Sequence, residues 1–390
     1  EDGRALGGAR AGRAGPWGRQ GRGERLRHWL AQIPPAHVEG SAPLLALAGM
    51  ASMRSAPEHA LPLLERAARR YRQDGERARE RQFTGLVGVL QLVELRREEA
   101  LRTLRRLLSL RGLVSDPAER GTLLILLAAR RLVTGRFGGS LSLSERASAL
   151  PLEPYAEFFN AMNLGLLRGA RGEWELGLAA LRRALEHPDL GAYSFTHWSL
   201  RLFAAQLLGR SGALEQARAE LALVDEAVAE YRLRWLRELV ATEMGYVASR
   251  LGDREDARRW LEEAAARAGG GVAETVVRTV TAIEHLRWGE ADVAAGQARR
   301  ALEQAALRGT PVLTMAPWWS CFALWVLGRA GDPAEARRMA QRRLRDFHQP
   351  TLRLAHHAMQ IALADLALRA GDAGAARRLA AEAFAIADRE

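Results

Sequence analysis

Gly252-Asp-Arg-Glu-Asp-Ala257 is a hexapeptide whose spacing recurs along the 390-residue chain. The same frame holds Gly212-Ala-Leu-Glu-Gln-Ala217, Gly331-Asp-Pro-Ala-Glu-Ala336 and Gly371-Asp-Ala-Gly-Ala-Ala376. Gly172-Glu-Trp-Glu-Leu-Gly177 and Gly289-Glu-Ala-Asp-Val-Ala294 fit it more loosely. From Gly172 to Gly371 the leading glycines stand 40, 40, 37, 42 and 40 residues apart. A fixed period of this length marks an array of supersecondary units, each burying its apolar face against its neighbours. Gly135, Leu95 and Ser55 extend the frame backwards with weaker turns.

Each unit reads as two helices. Leu236, Leu239, Val240, Met244, Val247 and Leu251 precede one turn at spacings of three and four, the mark of a single helix face. Glycine ends that helix by adopting the left-handed conformation without a Cβ penalty, and Asp253, Asp332 and Asp372 follow as caps of the next one. Pro333 suits a first turn, where its missing N–H costs nothing. Small residues recur seven apart on the second helix (Ala60 and Ala67, Gly177 and Ala184, Ala294 and Ala301, Ala376 and Ala383), which lets helices approach closely. Strand signals are scarce. The expected fold is all-α: a right-handed superhelix, or solenoid, of about nine antiparallel helix pairs over 24–390, behind a flexible Gly/Arg-rich lead-in at 1–23. Irregular connections are expected at 111–120 and 136–155, a loose joint at Gly269-Gly270-Gly271, and a longer loop from His187 to Ala192.

The formal charge is +11, and the 57 basic residues are all arginine. Much of the excess sits in 1–23; elsewhere Arg alternates with Glu, as in Arg258-Arg259-Trp260-Leu261-Glu262-Glu263. That pattern suits solvated helix faces. Contact with a polyanion stays open as the alternative, and steep salt sensitivity would mark it. The single Cys321 excludes an internal disulfide and fits a reducing cytosol. No apolar run reaches the length of a membrane span and no secretory signal is visible, so the expected setting is cytoplasmic with no membrane partner. Opening at Glu1 rather than Met, the sequence is expected to be a piece of something longer.

Signatures of chemistry are missing. A phosphate loop needs a lysine that the chain lacks, and no Gly-x-Ser-x-Gly elbow, His-Glu-x-x-His or paired-cysteine motif occurs. His356 and His357 are neighbours that point about 100° apart on a helix, which ill suits a shared ion. No enzyme, metal or cofactor is expected. Trp318, Cys321, Phe322 and Trp325 lie at core spacing, and Trp260 and Trp288 fall where consecutive units would pack.

One stretch carries a family resemblance. Gly21-Arg-Gly-Glu-Arg-Leu-Arg-His-Trp29-Leu-Ala-Gln-Ile-Pro34, continued by Pro43-Leu-Leu-Ala-Leu-Ala-Gly49 and Ala60-Leu-Pro-Leu-Leu-Glu-Arg-Ala67, resembles the opening of the helical region of MalT-like, large LuxR-type transcription regulators. The forty-residue pairs resemble that family's tetratricopeptide-like superhelix, over most of 21–390. The resemblance implies a module that senses an effector or binds a protein, with DNA contacted only by domains outside this chain. A plain protein-binding scaffold without a small ligand is the alternative.

By analogy with tetratricopeptide arrays, first helices line the concave face. Counting back 18, 14 and 11 residues from each turn glycine gives Ser194, Trp198 and Arg201; Arg234, Glu238 and Ala241; Gly271, Thr275 and Arg278; Leu313, Pro317 and Ser320; and Arg353, His357 and Gln360. These offsets share one helix face. It is polar in four of the five units, with Arg recurring, and Arg suits carboxylate, phosphate or hydroxyl ligands. The candidate groove for a small effector or a protein partner is therefore Trp198, Arg201, Arg234, Glu238, Thr275, Arg278, Arg353, His357 and Gln360. Inter-helix ion pairs on a wet surface would give the same pattern.

Overall fold

The structure, a computed structural model, describes residues 26, 28–30, 32–52, 57–93, 97–109, 116–133, 137–152, 154–188, 190, 194–231, 234–267, 272–307, 316–346 and 353–387. The expected lead-in at 1–23 and the joint at 269–271 lie outside these residues. Among the described residues there is no strand. Among the described residues a short α1 (Pro35–Gly40) precedes nine helix pairs. They are α2/α3 (Ala42–Ser52, Pro57–Gln73), α4/α5 (Arg77–Val93, Arg97–Ser109), α6/α7 (Pro117–Val133, Phe137–Ser148), α8/α9 (Pro154–Ala170, Trp174–Leu185) and α10/α11 (Ser194–Ser211, Leu214–Tyr231). Then follow α12/α13 (Arg234–Leu251, Arg254–Arg267), α14/α15 (Val272–Arg287, Ala291–Leu307), α16/α17 (Ala316–Ala330, Pro333–Asp346) and α18/α19 (Arg353–Arg369, Ala373–Ala387). Two compact units result: Glu1–Arg130 with Leu141–Leu233, and Arg131–Ser140 with Arg234–Glu390. In the second, the first helices α12, α14, α16 and α18 pack side by side in chain order.

The turns form as their residues dictate. Gly252 has φ +90°, and the Asp253 N–H reaches back to the Ala248 carbonyl at 3.0 Å, satisfying an orphan acceptor of the helix end. The same wrap joins Glu173 to Arg168, Ala213 to Leu208, Glu290 to His285 and Asp372 to Ala367. Gly331 is the exception. It is not left-handed, and its N–H bonds Leu327 O at 2.8 Å before Pro333 starts the next helix. Asp253, Asp332 and Asp372 cap as expected, accepting from the N–H groups of Asp256, Ala334 and Ala375 at 3.0, 2.8 and 2.9 Å. A Cβ on Gly252 would meet nothing within 4 Å, so Gly252→Ala isolates the backbone term. It should lower stability in urea by about 1 kcal/mol. Gly296→Ala, equally uncrowded but inside helix α15, should instead raise stability by up to about 1 kcal/mol.

Within a pair, leucines of the second helix seat over glycines of the first. Leu181 lies over Gly165 and Leu261 over Gly245, so closely that a Cβ on Gly245 would stand 2.6 Å from Leu261 Cγ. The small residues seven apart (Ala60 and Ala67, Ala294 and Ala301) are fully buried. Between pairs, the residue three before the turn meets the residue five before the next turn. A side chain on Gly169 would strike Leu207, one on Gly328 would strike Leu366, and Ser249 donates to Glu284. Ion pairs span the same junctions: Arg254 and Arg258 hold Glu290, Arg299 holds Glu335 at 3.1 Å, and Arg329 holds Asp365 at 3.2 Å. Trp260 packs with Ala241, Ala264 and Val277, bridging two consecutive pairs.

The expected irregular stretch at 136–155 is corrected for most of its length: 137–148 is helix α7, and 117–120 already belongs to α6. Gly138, Gly139 and the serines around them are weak helix formers, but Ser140, Ser144 and Ala147 are fully buried beside Leu141 and Leu143. Burial overrides propensity there.

Candidate functional site

The face fifteen to eleven residues before the turn is where the two helices of a pair are tied together. In α10, Arg201 donates Nε–H to His197 Nε2 at 3.0 Å and reaches Glu220 on α11 at 2.6 Å. Its guanidinium also lies 5.9 Å from the Trp198 ring centroid, within cation–π range. In α14, Arg278 bonds Glu274 at 2.6 Å and Gln297 on α15 at 3.0 Å. Gln360 on α18 donates to Glu382 on α19 at 2.7 Å, and His357 Nδ1 lies 2.7 Å from Ala383 O. Thr275 and Ala241 are buried, and Glu238 is half-buried. The backbones of Arg234 and Arg353 open α12 and α18, while their side chains, with Ser194, Gly271, Leu313 and Pro317, fall outside what is described. The nine candidates are thus spread over two units, Trp198 and Arg201 in the first and the rest in the second. Arg201, Arg278 and Gln360 each spend hydrogen bonds on their own second helix.

His197 is the unusual titrating group of this face. Burial, reinforced by the Arg201 charge, pulls its pKa down to about 4. An Nε2 that accepts from Arg201 carries no proton, so the neutral ring with hydrogen on Nδ1 is the form that fits. Elsewhere, Glu290 is brought down to about 2, first by the hydrogen bond from His285 and then by those from Arg254 and Arg258. Trp288 stands edge-on to His285, under Arg254 and Arg258, and completes that cluster.

The exposed part of the first helices lies elsewhere. Two residues before the turn stand Arg250, Arg287, Arg329 and Arg369 in four consecutive units, all exposed. Arg210 holds the same position in the first unit. Six before the turn lie half-buried Tyr246, Ile283, Trp325 and Asp365. Arg329 packs over Trp325 at 4.7 Å and shares Asp365 with Arg369 at 3.2 Å each. Because α12, α14, α16 and α18 are neighbours, these residues form an arginine row beside Tyr246, Ile283 and Trp325, with Asp365 at the last position. The signal was in the sequence as Arg repeating at one offset through five turns, but at a different offset from the ones counted. Among the described residues no cluster of three His, Cys, Asp or Glu could hold a metal ion. Cys321 is buried among apolar neighbours, and no described helix is long and apolar enough to cross a membrane.

Helix pairs of this length, closed by glycine turns and stacked through small residues, define the chain as a tetratricopeptide-like helical repeat. No protein-family model matches its sequence, and no curated protein matches it by sequence. Solved structures share the architecture. A Rap protein in complex with competence and sporulation factor aligns with TM-score 0.61 at 12% identity, over 90% of this chain and 98% of that one. The apo form of RapI aligns with TM-score 0.51 at 11% identity, over 89% and 98%. A STAND signal-transduction ATPase with a tetratricopeptide repeat sensor, from Pyrococcus horikoshii, gives TM-score 0.49 at 16% identity, over 89% of this chain and 52% of that one. This chain therefore spans about half the length of that ATPase.

Proposed function

We propose that this chain is the partner-sensing module of a larger MalT-like, LuxR-type transcription regulator. The exposed first-helix face of its second unit takes a peptide or protein segment, or a small anionic effector. The observation that carries this reading is the row Arg250, Arg287, Arg329 and Arg369, repeated at one position of four adjacent helices and backed by Tyr246, Ile283 and Trp325. Guanidinium forks recognise carboxylates and phosphates, and Tyr246, Ile283 and Trp325 give an apolar floor beside them. The Rap protein that shares the fold holds competence and sporulation factor, which supports a binding role by analogy of fold. Binding would shift a conformational equilibrium felt by a nucleotide-binding switch and a helix-turn-helix outside the chain. The reading is of a cytoplasmic, non-enzymatic module without cofactor.

Thermal shift against metabolites, oligosaccharides and short acidic peptides tests it. A true ligand at one hundred times its dissociation constant stabilises by about 2.7 kcal/mol. Arg250→Ala with Arg369→Ala should abolish that shift with little change in the unliganded melting temperature. A shift that survives the double substitution refutes this face. No response to any small probe, with a protein partner still captured through the row, favours the scaffold.

A further inference from the structure

The arginine row is not evenly charged. Glu284 on α14 is 1% exposed, accepts from Ser249 and holds Arg287 at 3.0 Å, so the charge of Arg287 is already balanced. Arg329 on α16 and Arg369 on α18 meet over one carboxylate, each 3.2 Å from Asp365. That group keeps one positive charge in excess. Arg250 on α12 is exposed, and among the described residues no acid pairs with it. The row therefore has two charged ends and a balanced middle, where half-buried Ile283 adds apolar surface.

The distance between the ends decides what they can bind. Packed helices stand about 8–10 Å apart. Since α12, α14, α16 and α18 are consecutive neighbours and the second charged end lies between α16 and α18, the two ends are about 20–25 Å apart. The Debye length at physiological salt is about 8 Å, so the ends do not act on a ligand as one field. A small anion reaches only one of them. An extended chain rises about 3.3 Å per residue and crosses the gap in about six to eight residues. Its side chains alternate in direction, so acids six or eight positions apart leave from the same face.

Building on the binding role proposed above, we infer that the occupant of this face is an extended peptide segment with two acidic residues six or eight positions apart and apolar residues between them. One acid pairs with Arg250, the other with Arg329 and Arg369. Each contact alone is weak and screened by salt. Joined by a chain of the right span, the second contact becomes intramolecular, and affinity then depends on whether that span fits.

Fluorescence anisotropy with the full chain tests it. The probes are fluorescein-labelled, amidated peptides of one composition, built from serine and leucine with two glutamates three, six, eight or twelve positions apart. Separations of six and eight should bind at least about tenfold more tightly than three and twelve. Arg250→Gln changes an exposed side chain, so the fold is not at stake, and it should bring the tight peptides down to the affinity of a probe with one glutamate. Arg287→Gln should leave the preference for six and eight in place. Equal affinity at every separation, or a maximum at three, overturns the two-ended site while leaving the face a binder of acidic peptides. Peptides that do not bind at all overturn it too; the wider binding role falls with it only if no metabolite or oligosaccharide shifts the melting temperature either.

Discussion

Leu261→Ala should lower the free energy of unfolding by about 3 kcal/mol, and by distinctly less when Gly245→Ala accompanies it. Leu261 is 1% exposed and sits in the groove that Gly245 leaves open, packed with Val276 and Val280 of the following pair. Truncation removes three buried carbons and leaves a cavity beside a glycine. Gly245→Ala alone is destabilising for the opposite reason, because its Cβ would crowd Leu261 and stand 3.2 Å from the Ala257 carbonyl. That overpacking should cost about 1–3 kcal/mol. In the double variant the new Cβ enters the space that Leu261 vacated, so the two costs do not add. Urea titration followed by circular dichroism and by tryptophan fluorescence reads the cycle. A strictly additive double variant would show that the two residues do not share one packing site.

Acidification from pH 7 to pH 4 should remove about 3 kcal/mol of stability through His197 alone. Its folded pKa of about 4 lies below the usual 6.5, so between these values the unfolded chain binds the proton and the folded chain does not. Stability therefore rises with pH across that window, is fully present above it, and is lost as pH falls through the folded value. The structural cost is specific. A proton on Nε2 would face the Arg201 N–H at 3.0 Å and set two cations against each other. His197→Gln keeps an acceptor for Arg201 and cannot charge, so it should flatten this segment of the pH profile while leaving stability at pH 7 near the parent. An unchanged acid slope in the glutamine variant would place the titration elsewhere.

The turns were legible because their chemistry is local. A left-handed glycine states the end of one helix, and an Asp or Glu after it the start of the next; five of the six glycines in the frame have positive φ, and all of these but Gly212 are followed by an acid. Gly75 also turns left-handed, between α3 and α4, and lies outside the forty-residue frame because it follows a second helix rather than a first. The candidate groove was less legible. A period fixes where along the chain a helix lies but not how it is rotated, and one residue of offset turns a side chain by about 100°. Arg201 and Arg278 looked like groove residues because they stand at one offset from the turn, on a face that stays polar in four of five units. Their polarity answers to Glu220 and Gln297 on the second helix, partners that only the packed pair brings close. The first helices also hide much polarity: Thr242, Thr279 and Glu284 are all nearly inaccessible, and sequence alone cannot tell a buried threonine from an exposed one.

The ion pairs that cross from one helix pair to the next act on how far order propagates along the chain. Arg254 and Arg258 with Glu290, and Arg299 with Glu335, are at least partly open to solvent. Each adds little energy and each is screened by salt. Yet they sit at the joints, whereas the leucine-on-glycine contacts Leu181–Gly165 and Leu261–Gly245 sit inside the pairs. In a one-dimensional array contacts at the joints set the coupling, and the ion pairs add a salt-sensitive share to the one that Leu207, Leu366 and Trp260 supply there. Added salt should thus shorten the correlation length of the fold, broadening its melting more than advancing it, and a binding event at one pair would then be felt by fewer of its neighbours.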